Sequence, residues 1–537
     1  MKEKNCYPIC RLLLVIFAFA CAAKVQAQNA SKVQISVINT VAPLMKGLPT
    51  NAAMQIRVYV PPGQEMTYSS IQMQLNEDAL KSIEKIDVLM RNDREPAFIS
   101  NAKVLASVAP STKVIQIPID LVLQPGLNYI WISPVVKKEA DIDKKVFLQI
   151  TGLTAANGSK HSVSKNTNTT GGPATFTRRL GVAVRKSWDD SVHTYRIPGI
   201  TTTDKGTLIA VYDIRYKNDR DLPGNIDVGM SRSTDGGKTW EPMKVIMDMG
   251  TPHENNGIGD PSILFDPVTK KLWVAALWSK GNRSIAGSEP GLSPDTTGQF
   301  VLASSDDDGL TWSRPYSITT QVKNPAWHLY FNGPGNGIAM KNGTIVFPSQ
   351  YWDESAKPGI PHSSIIYSDD HGKTWKSGTG AKSNTTESAV VETTPGTLML
   401  NMRDNRGSSR RNGSYRSVAT TTDMGKTWVE HPTSFQALPD PVCMASLIKA
   451  TVNVKGQMKD MLFFSNVASQ TARMNTTVKA SLDMGETWLP VNELLVDARL
   501  TYGYSSLTKI DDNTIGILYE GERDMYFVRI PVGEIIK

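Results

Sequence analysis

Five copies of one eight-residue pattern constrain this chain more than anything else in it. Ser233-Thr234-Asp235-Gly236-Gly237-Lys238-Thr239-Trp240 recurs at Ser305 to Trp312, Ser368 to Trp375, Thr421 to Trp428 and Ser481 to Trp488. Each copy has Ser or Thr first, Asp third, Gly fifth, Thr seventh and Trp last. Asp and Gly at those offsets suit a hairpin turn, and the Trp supplies a large apolar body to pack under it. The copies are 53 to 72 residues apart, enough for a four-stranded propeller blade with generous loops. At that spacing the residues from Arg178 to the end make six blades, one of them without a box. A residue repeated at the same turn of every blade serves the blade, so neither catalysis nor a calcium site is sought in the boxes. Chemistry must lie in polar residues that occur once.

Ahead of the repeats the pattern changes. Between Val33 and Ile150 short runs alternate apolar and polar residues, as in Met54-Gln55-Ile56-Arg57-Val58-Tyr59-Val60 and Val114-Ile115-Gln116-Ile117. A period of two with polar partners predicts two sheets, each wet on one face. Residues 28–160 are therefore expected to form a β-sandwich accessory domain, with carbohydrate binding as its expected role. No titratable set converges there. The Ser-, Thr-, Asn- and Gly-rich stretch 161–177 reads as a linker, and 178–537 as the propeller. The fold class expected is all-β, a six-bladed propeller preceded by a sandwich.

Residues 1–27 have the form of an export signal. Lys2, Lys4 and Arg11 precede the apolar run Leu12 to Ala20, which is too short to span a membrane, and Val25-Gln26-Ala27 offers a small-residue cleavage site. Cys21 raises lipid attachment as a rival reading, but Ala18-Phe19-Ala20-Cys21 lacks the leucine usual at such a site. The expected location is periplasmic or secreted, with no transmembrane segment. Three of the four cysteines fall in the signal, so Cys443 is left without a partner and no intramolecular disulfide is expected. The net charge of +7 is spread thinly, without the dense basic patch that nucleic acid requires.

The unrepeated polar residues begin at Tyr195-Arg196-Ile197-Pro198. Proline removes a ladder donor and so places Arg196 at a strand end or rim. The apolar run to Ile214 delivers Arg215 at its end, with Asp221 six residues on. Arg403 follows the strand 397–402, and Arg473 precedes the strand leading into the fifth box. Three guanidiniums on three blades, able to converge at the mouth of a central channel, call for an anion. Their planar forks bind carboxylate or phosphate bidentately and keep their charge.

Together, the Tyr-Arg-Ile-Pro stretch, the five boxes and the three arginines resemble bacterial exo-α-sialidases of the six-bladed propeller class. The likeness covers roughly residues 178 to 537, and the region before them resembles the lectin-like sandwich often attached to such propellers. One departure is Tyr195, where phenylalanine is commoner. The resemblance implies hydrolysis of terminal α-linked sialic acids from glycoproteins, glycolipids and oligosaccharides. Residue by residue, it makes Arg196, Arg403 and Arg473 the cradle for the sialic acid carboxylate, and places Arg215 on the side of the sugar's 4-hydroxyl and Asp260 near the 4-hydroxyl or the acetamido group. Asp221 becomes the acid/base, Tyr504 the nucleophile, Glu387 its base, and Glu520 the acid that orients the first arginine. Arg220 and Asp219 lie near Asp221 without its spacing, Tyr502 is a neighbour of Tyr504 that the pattern does not match, and Glu392, near Glu387, ends the buried-looking strand.

These residue types suit such a substrate. Sialic acid carries a carboxylate on its reacting carbon, so a carboxylate nucleophile would meet like charge at ~1 kcal/mol in water and ~4 kcal/mol at an effective dielectric of 20, for a 4 Å approach. A neutral phenol avoids that, and sialidases with a tyrosine nucleophile are a recognised exception to the two-carboxylate rule of glycosidases. No metal or other cofactor is called for, since the seven histidines are scattered. The expected partners are sialylated glycans, with further glycan contact by the N-terminal domain. Two other classes stay open: a sialic-acid-binding propeller, which could dispense with Tyr504 and Asp221, and a trans-sialidase, which would share every residue named.

Overall fold

The computed structural model describes residues 32–91, 102–281, 283–409 and 413–537, so residues 1–27, expected to be an export signal, lie outside the described residues. The chain divides into two compact units.

The first unit, residues up to 40, 49–140 and 145–178, holds two sheets. In one, the strands run Lys165–Asn168, Gln34–Asn39, Met54–Val60, Gly126–Val136, Ile83–Met90 and Lys103–Val108 across the sheet. The other joins Lys160–Ser162, Lys145–Ala155, Met66–Leu75 and Val114–Leu123. Period two is strict in the last of these, which buries Ile115, Ile117, Ile119, Leu121 and Leu123 and exposes every residue between. Gly126–Val136 lacks that alternation because both of its faces are buried along most of its length. The stretch expected as a linker, 161–177, contains strand instead: Lys165–Asn168 pairs in parallel with Gln34–Asn39. Polar composition misleads there because these are edge strands, whose side chains stay wet.

The second unit, residues 41–48, 141–144 and 179–537, holds six antiparallel sheets in chain order. Blade 1 is Thr194–Thr202, Leu208–Arg215, Ile226–Ser233 and Lys244–Met247. Blade 2 is Asn256–Asp266, Lys271–Lys280, Gln299–Ser305 and Tyr316–Ser317. Blade 3 is built on Leu329–Asn332, Ile345–Trp352, Pro361–Ser368 and Lys376–Ser377, and blade 4 on Thr385–Thr394, Thr397–Asp404, Ser417–Thr421 and Val429–Glu430. Blade 5 is Ser446–Val454, Gln457–Val467, Met474–Ser481 and Glu493–Leu500. Blade 6 takes Ser505–Asp511, Thr514–Glu520 and Met525–Pro531 from the end of the chain and its fourth strand, Thr177–Arg185, from the start of the propeller, with Val182 opposite Phe527. The ring thus closes on itself by joining the two ends of the propeller in one sheet.

That closure explains the missing sixth box. Every box is the turn from a blade's third strand to its fourth, and in blade 6 no such turn exists. Within a box the aspartate's Oδ1 accepts from the Thr backbone N–H and its Oδ2 from the Thr hydroxyl, at 2.8 and 2.5 Å for Asp307 and Thr311. The first-position hydroxyl donates to the aspartate and accepts from the glycine N–H. The two residues after each aspartate are left-handed, as at Asp308 and Gly309 with φ of 63° and 81°, which fits a tight hairpin and favours glycine. Each box tryptophan belongs to a different interblade core: Trp240 between blades 6 and 1, Trp312 between 1 and 2, Trp375 between 2 and 3, Trp428 between 3 and 4, Trp488 between 4 and 5. The core between blades 5 and 6 has none.

Hydrogen bonding, chiefly from Thr311, holds Asp307 down to about 2. A carboxylate so depressed stabilises the fold above its unfolded pKa, about 3.9, and stops doing so as pH falls toward 2. Asp307→Asn should therefore lower the melting temperature by a few degrees at pH 7, for a cost of about 1–2 kcal/mol. The gap to wild type should narrow on acidification from pH 4 to 2. A gap that is the same at both ends of a calorimetric pH series would show that the ionised acceptor is not what stabilises the turn.

Candidate active site

Strands alternate direction within each blade, so the starts of first and third strands and the ends of second strands share one face. Arg196 and Glu387 lie near the starts of their first strands, and so does Asp260. Arg215, Arg403 and Glu520 end or nearly end second strands. Arg473 immediately precedes a third strand, and Tyr504 immediately precedes a first. All eight therefore occupy one face, with Asp221 on the loop that follows Arg215, while the boxes lie on the other.

Three inner strands break register at the functional residue. The pairing slips between Arg196 and Gly199, between Gly259 and Ser262, and between Thr385 and Ser388. In the first two, Ile197 and Asp260 adopt φ of 58° and 56° immediately before a proline. A bulge re-aims the side chains beside it, and here it does so for Arg196, Asp260 and Glu387 at the rim.

Tyr504 is the point on which the arginines converge. Its hydroxyl donates to Glu387 Oε1, and Arg403 Nη1 donates both to that hydroxyl at 3.1 Å and to Glu387 Oε2 at 2.7 Å. The guanidinium carbons of Arg196 and Arg473 stand 5.5 and 5.7 Å from the ring centre. Burial, reinforced by the Glu387 charge and opposed by Arg403, pushes the phenol well above its ordinary value, so the resting group is a neutral phenol. Burial works against the charge on Arg403 too, but Glu387 and Tyr504 outweigh it.

Glu520, fully buried, holds this cluster together. One carboxylate oxygen accepts from Arg196 Nε at 3.1 Å and from the Ile197 N–H at 2.9 Å, and the other from the Tyr504 N–H at 2.9 Å. Asp221 Oδ1 accepts from Arg215 at 2.7 Å and from Arg196 at 3.3 Å. Its side chain is nevertheless 68% exposed at the mouth. Partial desolvation pushes Asp221 up, but Arg215 and Arg196 together hold it below the ordinary carboxylate range. Asp260 shows the opposite balance: burial first, then the charges of Asp213, Asp221 and Glu387, raise it well above that range.

The residues set aside have other positions. Tyr502 lays its ring 4.6 Å from the Arg196 guanidinium, accepts from Arg473 on its carbonyl at 2.9 Å, and donates to Asp219 at 2.7 Å. Asp219 also accepts from Arg215 on its carbonyl, so both brace the site. Glu392 lies at the far end of its strand, where it caps Lys341 and Gly396. Sequence reasoning missed Asp213. One of its oxygens accepts from Arg215 Nε and Nη2 at 3.1 and 2.8 Å, and the other from the Asp260 N–H at 2.8 Å. The available signal was alternation: Asp213 is two residues before Arg215 on one strand and so shares its side.

Cys443 is free and buried, and burial pushes its thiol up to about 12, which makes it a packing residue. Among the described residues, one group could hold a metal: Asp227, Asp248 and His253 bring ligand atoms within 4.8 Å of one another. Asp227 is pushed up to about 7 by burial and then by Asp248, and already accepts from Tyr216 at 3.2 Å. None of the three is among the residues around Tyr504.

Known proteins resemble both units. Residues 197–509 match a family described as a BNR repeat-like domain, and residues 32–159 one described as the N-terminal domain of BNR-repeat neuraminidase. A sialidase of Bacteroides fragilis is 48% identical over 431 residues, 78% of this chain and 76% of that protein. A sialidase of Micromonospora viridifaciens is 36% identical over 332 residues, 61% of this chain and 50% of that protein. The solved structure of the Hadza microbial sialidase Hz136 aligns with a TM-score of 0.84 at 37% identity, covering 93% of this chain and 100% of that one.

Removing the Asp213 charge should be costly, because Arg215 is buried and loses both bonds to its buried carboxylate partner. Asp213→Ala is expected to lower unfolding stability by about 3–5 kcal/mol, and Asp219→Ala, on a loop, by about 1 kcal/mol. Equal losses in urea titrations would mean that Asp221 alone suffices to hold Arg215.

Proposed function

The chain belongs to the BNR-repeat sialidase family and is a glycoside hydrolase that releases terminal α-linked sialic acids; on that premise we propose that it does so by double displacement, with Tyr504 as nucleophile and retention at the reacting carbon. The observation that carries this mechanism is the contact of one phenol with Glu387 and Arg403, inside a ring of three arginines.

The substrate carboxylate is the anion that Arg196, Arg403 and Arg473 are arranged to receive, and the fork geometry fixes its plane. Binding there brings the reacting carbon to Tyr504. The phenol is a weak nucleophile while protonated, and its proton already points at Glu387, so attack and proton transfer proceed together. Arg403, at 3.1 Å, stabilises the negative charge that grows on the phenol oxygen. As the glycosidic bond breaks, Asp221 gives its proton to the leaving oxygen and later takes one from the water that hydrolyses the tyrosyl-sugar intermediate.

A general acid needs a proton, and in the free protein two arginines deny Asp221 one. The substrate's own carboxylate removes that obstacle by taking over the charge of Arg196, which lets the Asp221 pKa rise once the substrate is bound. Asp260 lies on the same side as Arg215, where the 4-hydroxyl or the acetamido group is received.

Proton NMR of an α-sialoside during the first turnovers should show α-sialic acid appearing before its equilibration to the β-anomer; initial release of the β-anomer would overturn the double displacement. The roles of Tyr504 and Asp221 separate by leaving group. Tyr504→Phe should abolish turnover of every substrate. Asp221→Ala should slow sialyl-lactose by a factor of about 100 or more, the usual contribution of a positioned proton donor, but barely affect glycosyl transfer from a nitrophenyl sialoside, whose leaving group needs little protonation. If rapid-quench measurements found both substrates slowed equally, Asp221 would not be the acid.

A further inference from the structure

Of the chain's eleven tryptophans, Trp188 alone is in the exposed class, at 64% of its free surface, the others being buried or half-buried. An exposed indole on a loose loop would mean little, but this loop is tightly held. Trp188 N–H donates to the Val192 carbonyl at 2.6 Å, Val192 N–H to the Asp189 carbonyl at 3.0 Å, and Tyr195 hydroxyl to the same carbonyl at 2.7 Å. Lys186 N–H donates to the Asp189 carboxylate, Ser187 N–H to Asp524, and Ser187 hydroxyl to the His193 carbonyl. Trp188, Asp190 and Ser191 all have left-handed backbone, with φ of 72°, 52° and 61°. Three non-glycine residues in that region within four positions are a strained arrangement that surrounding bonds must impose. The strain and bonds together hold an apolar ring in water on the face that carries Tyr504.

The loop adjoins the acid/base. It leads directly into Thr194–Thr202, whose first residue pairs with Arg215, and His193 N–H donates to the Tyr216 carbonyl, where the Asp221 loop begins. His193 supports Trp188 edge-on at 5.2 Å between centres. The two loops therefore rise side by side from one hairpin end. Asp221 protonates the leaving oxygen, so the leaving sugar starts at Asp221 and extends outward over this rim.

We propose that Trp188, backed by His193, is an aglycone subsite that stacks on the apolar C–H face of a sugar beyond the scissile bond. The inference rests on the sialidase reading above. A pyranose presents such a face, and a rigid indole takes it up with little loss of side-chain freedom. The subsite gives the protein a preference for sialic acid carried on a glycan over sialic acid carried on a small group.

The test compares sialyl-lactose with methyl α-sialoside, both of which need the proton of Asp221, so the acid step is matched. Trp188→Ala should raise KM for sialyl-lactose roughly three- to tenfold and leave the methyl glycoside within about twofold of wild type. Trp188→Phe, which keeps a stacking ring, should recover most of the loss. Equal changes on both substrates, or none on sialyl-lactose, would overturn the subsite. Failure of the wild-type protein to release sialic acid from either substrate would instead overturn the sialidase reading beneath it. An unchanged melting temperature in both variants excludes a folding defect as the cause.

Discussion

A single buried carboxylate, Glu520, ties the ring of blades and the chemistry into one object. It ends the second strand of blade 6 and accepts from the first strand of blade 1 at Arg196 and Ile197, and from the Tyr504 backbone beside it. The seam where the propeller closes is thus also where the first arginine meets Tyr504. A carboxylate with no exposed surface is tolerable only when fully hydrogen-bonded and paired, and Glu520 has three donors, one of them a guanidinium. Remove it, and Arg196 would lose its buried anion at the same time as Tyr504 lost an anchor.

From that seam the molecule separates stability from reactivity by face. Box turns, with their depressed aspartates and interblade tryptophans, occupy one side of the ring. On the other, the inner strands are bulged, backbone is left-handed at Ile197 and Asp260, and like charges crowd: burial, and then Asp213, Asp221 and Glu387, push the Asp260 carboxyl upward. Those features cost stability, and the regular blades beneath supply it. The electrostatics also have a direction. In the free protein Asp221 pairs with Arg196 as well as Arg215, which under the proposed mechanism couples substrate binding to the readiness of the acid.

Much of this was legible in the residues. The boxes gave away the blades because each is complete within eight positions, its bonds running between side chains and backbone two to four residues apart. The residues that gather around Tyr504 were legible by type, since arginines at strand ends, an unrepeated tyrosine and single acids stand out against a repeated background. Asp213 was not, because an aspartate inside an apolar strand announces nothing until the partner it holds is seen. Nor were the roles of Tyr502 and Asp219, which the pattern had set aside. The stretch 161–177 was misread for a related reason: edge strands are polar, and so are linkers.

The amino-acid sequence by itself determined the blade repeat, the turn chemistry that makes it, and the inventory of reactive groups, because these depend on neighbours along the chain. Tertiary structure alone decided that Thr177–Arg185 would complete the sixth blade, that residues 196, 403, 473 and 504 would share one space, and that Trp188 would stand exposed beside the acid. Those outcomes depend on contacts such as Arg196 with Glu520, 324 residues apart, which form only once six blades have packed and the ring has closed, and no local pattern encodes a distance of that kind.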